Sequence, residues 1–284
     1  MDIPSLELKS IQYRRTTLQI IKQAGAGHTG GSLSCLDILN VLYNQVMNVC
    51  PDNFTSPDRD RYIHSKGHSV EALYTVLADR GFFPAEDLQT LCKFGSHLVG
   101  HPTRKINGIE QNTGALGHGL AVAVGIALAG KIDHRSYRVY TTMGDGELTE
   151  GSVWEASMSA AHYKLDNLVV IIDRNTLQIT GYTENVMSLE PLIERFNAFG
   201  YCVREVNGND VCALSEILTQ APFCSGKPSL VLAHTTKGKG ISYIENAVDW
   251  HHHVPSDAEF KIAMDELDQA EAMWREKYAI TEPR

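Results

Sequence analysis

Apolar residues recur at helical spacing in some stretches of this chain and as short unbroken runs in others. Alternation between the two predicts an α/β fold built on a mostly parallel sheet. Residues 5–24 put Leu8, Ile11, Leu18 and Ile21 on one broad face and leave Arg14 and Arg15 for solvent, an amphipathic helix. The glycine-rich stretch GAGHTGGS at 25–32 stops it, and CLDILNVLYNQVM at 35–47 resumes a helical pattern. RYIHSKGHSVEALYTVLADRGF at 61–82 joins a short strand to a helix through SKGH. The helix predicted over 119–130 is apolar nearly all round, so it reads as buried, with small residues that permit close packing against another helix or another chain. YRVYTTM at 137–143 and NLVVIID at 167–173 are strand-like, and the helical SVWEASMSAAHY between them completes a βαβ unit.

Beyond that unit, AFGYCVREVNG predicts a strand, DVCALSEILTQA a helix capped by Asp210, and PSLVLAHT a buried strand. It empties into a long loop, TKGKGISYIENAVDWHHHVP at 236–255, and loops of that length in compact domains are usually functional or disordered. Ser256 and Glu259 form a capping box for a charged, largely surface helix at about 257–278. Without repeats, low-complexity tracts or linkers, the 284 residues read as a single domain.

Composition narrows the function. A formal charge of −9 and a pI near 5.7 argue against a nucleic-acid partner or an anionic membrane surface, so an anionic ligand needs local attraction. The cysteines at 35, 50, 92, 202, 212 and 224 are scattered with no CxxC pair, which predicts reduced, mostly buried thiols. MDIPSLELKS has no apolar signal core and LAVAVGIALAG is too short to span a bilayer, which predicts a cytoplasmic protein without a membrane segment.

Chemistry concentrates in loops. GDGELTEG at 144–151 and DRNTLQITG at 173–181 leave their strands at the same sheet edge. Neighbouring strands lie about 4.8 Å apart, so Asp145 and Asn175 can converge on one small ion. With the Leu177 carbonyl they make an all-oxygen half-shell suited to Mg²⁺, leaving positions open for phosphate oxygens. Lys66 and His68 sit at a predicted helix N-terminus, where free N–H groups favour an anion. His28, His68 and His101 each stand beside glycine in a turn, which points to a shared site. The turn TGALGHG at 113–119 lacks the strand and spacing of a GxGxxG motif, and its backbone suits a flat apolar ligand. Lys237 and Lys239, among glycines, suit phosphate. The run at 251–253 cannot turn three consecutive histidines onto one ion, so a single hydrogen-bonding or proton-handling histidine is expected there.

GDG followed by Asn175 is similar to the thiamin diphosphate motif. GHTGGSLS, DRYIHSKGH, GHP, TGALGHG, GDGELTEG, TTKGKGIS and WHHHVP occur in the order found in transketolases. The chain resembles the pyrophosphate-binding half of a transketolase and stops where the pyrimidine-binding half would begin, like the N-terminal subunit of a split, two-chain enzyme. This resemblance implies that Asp145, Asn175 and the Leu177 carbonyl hold Mg²⁺, which Ca²⁺ or Mn²⁺ could replace. It implies that Gly146 lets backbone reach the diphosphate, that His68 and Lys237 lie by the diphosphate and thiazolium, and that Gly114, Leu116 and Ile179 meet the aminopyrimidine. His28 and His251 would face the donor sugar and handle the C3 hydroxyl proton, and His101 would bind the C1 hydroxyl. Glu150 resembles a glutamate that couples to an acid of the partner chain. The implied reaction is ketol transfer between sugars or sugar phosphates, by an α₂β₂ assembly that needs a C-terminal, pyrimidine-binding subunit for activity. Two residues depart from the pattern: His118, where the family often has Gln, and His64, where an apolar residue is usual. Other thiamin diphosphate enzymes, such as a 2-oxo acid dehydrogenase α chain or a deoxyxylulose phosphate synthase, and a non-catalytic paralogue are the alternatives.

Overall fold

A computed structural model describes residues 1–278. In chain order it comprises α1 (Ile3–Ala24), α2 (Thr29–Val41), β1 (Arg61–His64), α3 (Val70–Asp79), α4 (His118–Ile132), β2 (Val139–Gly144), α5 (Gly151–His162) and β3 (Leu168–Arg174). There follow β4 (Leu177–Gln178), β5 (Gly181–Tyr182), α6 (Thr183–Val186), α7 (Leu192–Phe199), β6 (Cys202–Asn207), α8 (Val211–Thr219), β7 (Ser229–His234) and α9 (Asp257–Lys277).

Five strands form one parallel sheet in the order β1-β2-β3-β7-β6, and β4 pairs antiparallel with β5 in a small hairpin. Every residue of β3 is buried, and the period of two splits it between two cores. Val169 and Ile171 join α1, α2, α3 and α8 on one face, while Leu168, Val170 and Ile172 join α4, α5 and α7 on the other. Each such aliphatic side chain contributes about 1.5–3 kcal/mol on full burial. That double cover is why the strands read as unbroken apolar runs. A third cluster, Leu18, Leu33, Ile241, Ile244, Trp250, Ala263 and Leu267, ties the long loop between β7 and α9 down onto α1 and α2. Gly144 of β2 lies level with Asp173 of β3, and Arg174 level with His234 of β7. Loops leaving these three strands therefore emerge together at one edge, where open α/β sheets bind their ligands.

Several expectations are corrected. Gly30, Gly31 and Ser32 belong to the first turn of α2, and a side chain is excluded at Gly30, where a Cβ would lie 2.7 Å from the Trp250 carbonyl oxygen. Close packing there outweighs glycine's helix penalty of about 1 kcal/mol. Arg14 is not in solvent: it is buried, paired with Asp37 at 2.6 and 3.0 Å and donating to the Lys239 carbonyl at 2.8 Å. The expectation of reduced, mostly buried thiols also fails. Cys202 and Cys224 form a disulfide, because pairing of β6 with β7 brings the start of β6 beside the turn before β7. Of the free cysteines only Cys35 is buried. Helix α4 buries Leu120, Ala123, Val124 and Ala127 against the sheet, but Ala121, Gly125 and Ala129 face outward. Among the described residues no helix is long and apolar enough to cross a membrane.

Candidate active site

The ends of β2 and β3 supply the oxygen donors expected from the sequence. Asp145 follows β2 and is buried; its Oδ1 accepts from the Gly146 N–H at 2.8 Å, and its Oδ2 accepts from the Thr176 N–H at 2.6 Å and from Arg174 Nη1 at 3.2 Å. Thr176 takes φ 65°, which turns the chain after β3 back toward Asp145. Asn175 Oδ1 accepts from the Leu177 N–H at 3.2 Å, while its Nδ2 donates to Ser34 and Asp173. The Leu177 carbonyl lies 3.4 Å from Lys237 Nζ. Burial, reinforced by Asp173 and opposed by Arg174, pushes the Asp145 carboxyl up to about 6. A hard divalent cation suits this donor set of carboxylate, amide oxygen and main-chain carbonyl.

Above these donors lies a cavity of about 440 Å³. His28, His68 and His251 line it together with Gly114, Leu116 and Ile179, and Gly146, Glu150 and Leu177 complete the predicted set on its wall. Asp145, Asn175 and Lys237 lie buried beneath, and His101 sits at the rim beside His28. Residues far apart in sequence thus converge: the His28 ring is 5.2 Å from His68, 5.7 Å from His251 and 6.3 Å from His101, between centroids. His252 belongs to the group as well, 4.6 Å from His28. A larger cavity of about 630 Å³ between α1, α8 and α9 is lined by none of these histidines, and its buried charges, Arg14 and Asp37, already satisfy each other. Size alone does not locate the site.

Burial keeps the imidazoles of His28, His68 and His251 neutral. It lowers His28 to about 4 and His251 to about 3, with neighbouring histidines and lysines adding to the effect, and it takes His68 well below the usual range. Lys237, lowered to about 8 by burial and by Lys66, donates to Nδ1 of His251 at 2.8 Å.

Two lysines are not where the sequence suggested. Lys66 is fully buried in an ion pair with Asp173 and donates to the Gly31 carbonyl at 2.9 Å, so its charge is already matched within the protein. Lys239 turns away from the cavity to Glu245 at 3.1 Å. Glu150 is the exposed residue preceding α5 and makes no capping hydrogen bond; its Cβ lies close against Gly117.

Sequence reasoning missed the acids that support the site. Glu147 is buried, accepts from Ser65 and from the Gly117 and Gly144 N–H groups, and so ties together the loops after β1 and β2 and the turn before α4. Asp173 gathers Lys66, Ser34 and Thr235. Glu71 bonds the backbone of His28. The available signal was an acid standing in an apolar helical run, VEALY, which burial makes costly unless it is bonded.

Residues 7–275 match the family described as transketolase, thiamine diphosphate binding domain. The chain is 49% identical to one subunit of the apulose-4-phosphate transketolase of Phocaeicola vulgatus over 269 residues, 95% of this chain and 96% of that one. It is 42% identical to the 6-deoxy-6-sulfo-D-fructose transketolase subunit SqwG of Clostridium sp., covering 90% of this chain and 94% of that one. Transketolase from Campylobacter jejuni shares its fold with a TM-score of 0.83 at 31% identity, covering 99% of this chain and 49% of that one. The chain therefore spans about half the length of that solved transketolase. It belongs to the transketolase family, as an N-terminal, thiamin diphosphate-binding subunit of the split, two-chain type.

Proposed function

We propose that this chain holds the diphosphate end of thiamin diphosphate with Mg²⁺ and, joined to a C-terminal pyrimidine-binding subunit in an α₂β₂ assembly, transfers a two-carbon ketol group from a ketose to an aldose. The observation that carries this reading is the convergence of His28, His68, His101 and His251 over the oxygen donors of Asp145, Asn175 and Leu177. Imidazoles gathered on the wall of the cavity suit a hydroxylated substrate better than a 2-oxo acid.

When bound, thiamin diphosphate supplies the electron sink for the carbon–carbon bond that breaks beside the carbonyl. Asp145, Asn175 and the Leu177 carbonyl would hold Mg²⁺, with Ca²⁺ or Mn²⁺ able to serve in its place. Gly146 gives the diphosphate a backbone surface, and His68 and Lys237 give it donors. Gly114, Leu116 and Ile179 would cover the aminopyrimidine. His251 accepts from Lys237 at Nδ1, so its own proton is on Nε2 and it donates to a sugar hydroxyl. Among the described residues the His28 ring makes no hydrogen bond, which leaves it free to take the C3 hydroxyl proton. His101 would orient the C1 hydroxyl. Glu150 and the outward face of α4 are available to a partner chain.

Turnover of xylulose 5-phosphate with ribose 5-phosphate, and of pyruvate, by this chain with and without a pyrimidine-domain subunit, tests the reading. The branched and sulfonated sugars in the names of the two relatives are further donors to try. Ketol transfer only by the pair is expected. Full activity of the chain alone, or a preference for pyruvate, would overturn it.

A further inference from the structure

We propose that α3 is the frame that sets the mutual placement of three of these histidines, with Glu71 and Tyr74 as positioning residues. His68 lies in the tight turn leading into α3, Glu71 in its first turn and Tyr74 one turn on. Their spacing by three brings them along one side of the helix. From this column, hydrogen bonds run to two separate segments, the start of α2 and the loop that carries His101.

His68 itself lines the cavity. Glu71, 2% exposed, accepts from the His28 N–H at 3.2 Å and from the Ser32 hydroxyl at 2.8 Å. Tyr74, 0% exposed, shares its hydroxyl proton between the carbonyls of Val99 at 3.0 Å and His101 at 3.1 Å. The bond to His28 replaces a missing local one. His28 is the N-cap of α2, and the residue three on, whose side chain accepts from the N-cap N–H in a capping box, is Gly31, which has none. Glu71 supplies an acceptor from the neighbouring helix instead.

Packing closes the frame from the other side. A Cβ at Gly27 would lie 2.9 Å from Glu71 Oε1, one at Gly114 would lie 2.6 Å from His101 Cδ2, and one at Gly67 would lie 2.7 Å from the Gly114 nitrogen. His28 and His101 are on loops, and loops hold a reacting group less closely than helices do. Given the sugar-binding roles proposed for these rings, tethering both loops to the helix that carries His68 is what would keep them in register.

The test uses the assembled pair with thiamin diphosphate and Mg²⁺, carrying Tyr74→Phe, Glu71→Ala or Glu71→Gln. Tyr74→Phe and Glu71→Ala should each lower donor kcat/KM by ten- to about a hundredfold, the scale of a small misplacement, with cofactor Kd unchanged. Glu71→Gln should recover most of that loss, because its amide oxygen still accepts from the His28 N–H. Crystal structures of the variants, superposed on the five strands, should show His28 or His101 moved by more than about 0.5 Å, the tolerance of a working site. Rings that stay in place in Tyr74→Phe overturn the proposal, as does a loss of activity that merely follows cofactor Kd. Should Glu71→Ala not fold, Tyr74→Phe decides alone, since it removes one oxygen. If the wild-type pair transfers no ketol group, the proposed function fails, and ring displacement still decides the role of α3.

Discussion

Lys237 donates to Nδ1 of His251 across 2.8 Å, so a cation and an imidazole share a hydrogen bond beneath the cavity. An ammonium has only donors, which makes Nδ1 the acceptor and puts the imidazole proton on Nε2. Burial first, and the lysine charge second, hold His251 down at about 3. In Lys237→Met the charge goes while burial remains. The His251 pKa should therefore rise, read by ¹⁵N NMR titration of the ring. An unchanged value would mean that burial alone sets it.

Asp145 carries the negative charge of the proposed metal site. Asp145→Asn should weaken thiamin diphosphate binding in Mg²⁺ by at least about tenfold, or 1.4 kcal/mol, in calorimetry on the assembled pair. Chelation should do the same to the wild type, with Mg²⁺, Mn²⁺ or Ca²⁺ restoring it. Equal affinity with and without a divalent ion would rule the oxygen site out.

Arg14 and Asp37 form a buried pair at 2.6 Å. Removing one partner strands the other charge away from water, so Arg14→Met should cost about 3–5 kcal/mol, measured by urea unfolding. Arg14→Met combined with Asp37→Leu should cost less than the single change. Additive losses would show that the two side chains are not energetically coupled.

His64 is buried, its ring nitrogens bonded to the Tyr62 hydroxyl at 2.9 Å and the Ser69 hydroxyl at 2.9 Å, and burial lowers it to about 3 from an ordinary 6.5. Above pH 6.5 folded and unfolded chains both keep it neutral. As pH falls from 6.5 toward 3, the unfolded chain binds a proton that the folded one refuses, and stability drains away, by up to about 5 kcal/mol. His64→Leu removes that proton uptake. Between pH 7 and 4 its unfolding free energy should fall less steeply than the wild type's; parallel curves would mean His64 is not the responsible group.

Local patterns carried a good part of this. The βαβ unit around GDGELTEG was legible because periodicity and glycine punctuation are properties of neighbouring residues, and the parallel pairing of β2 with β3 follows from them. The capping box at Ser256 and the cap at Asp210 were legible for the same reason. Arg14, Lys66 and Cys202 were misread, and each has its partner far along the chain, in Asp37, Asp173 and Cys224. A charge looks solvent-exposed or free to bind a ligand until the residue that neutralises it is known.

The histidines divide the same way. Their placement beside glycines in turns is written in the chain, because glycine tolerates the backbone that such turns require. Their meeting is not, since His28, His68, His101 and His251 follow different elements and only packing of the sheet, α2, α3 and the long loop brings the rings within about 6 Å. Proton placement depends on that packing most of all. Which nitrogen of His251 carries hydrogen follows from where Lys237 comes to rest, and burial, the largest cause of each lowered imidazole pKa here, exists only in the folded chain.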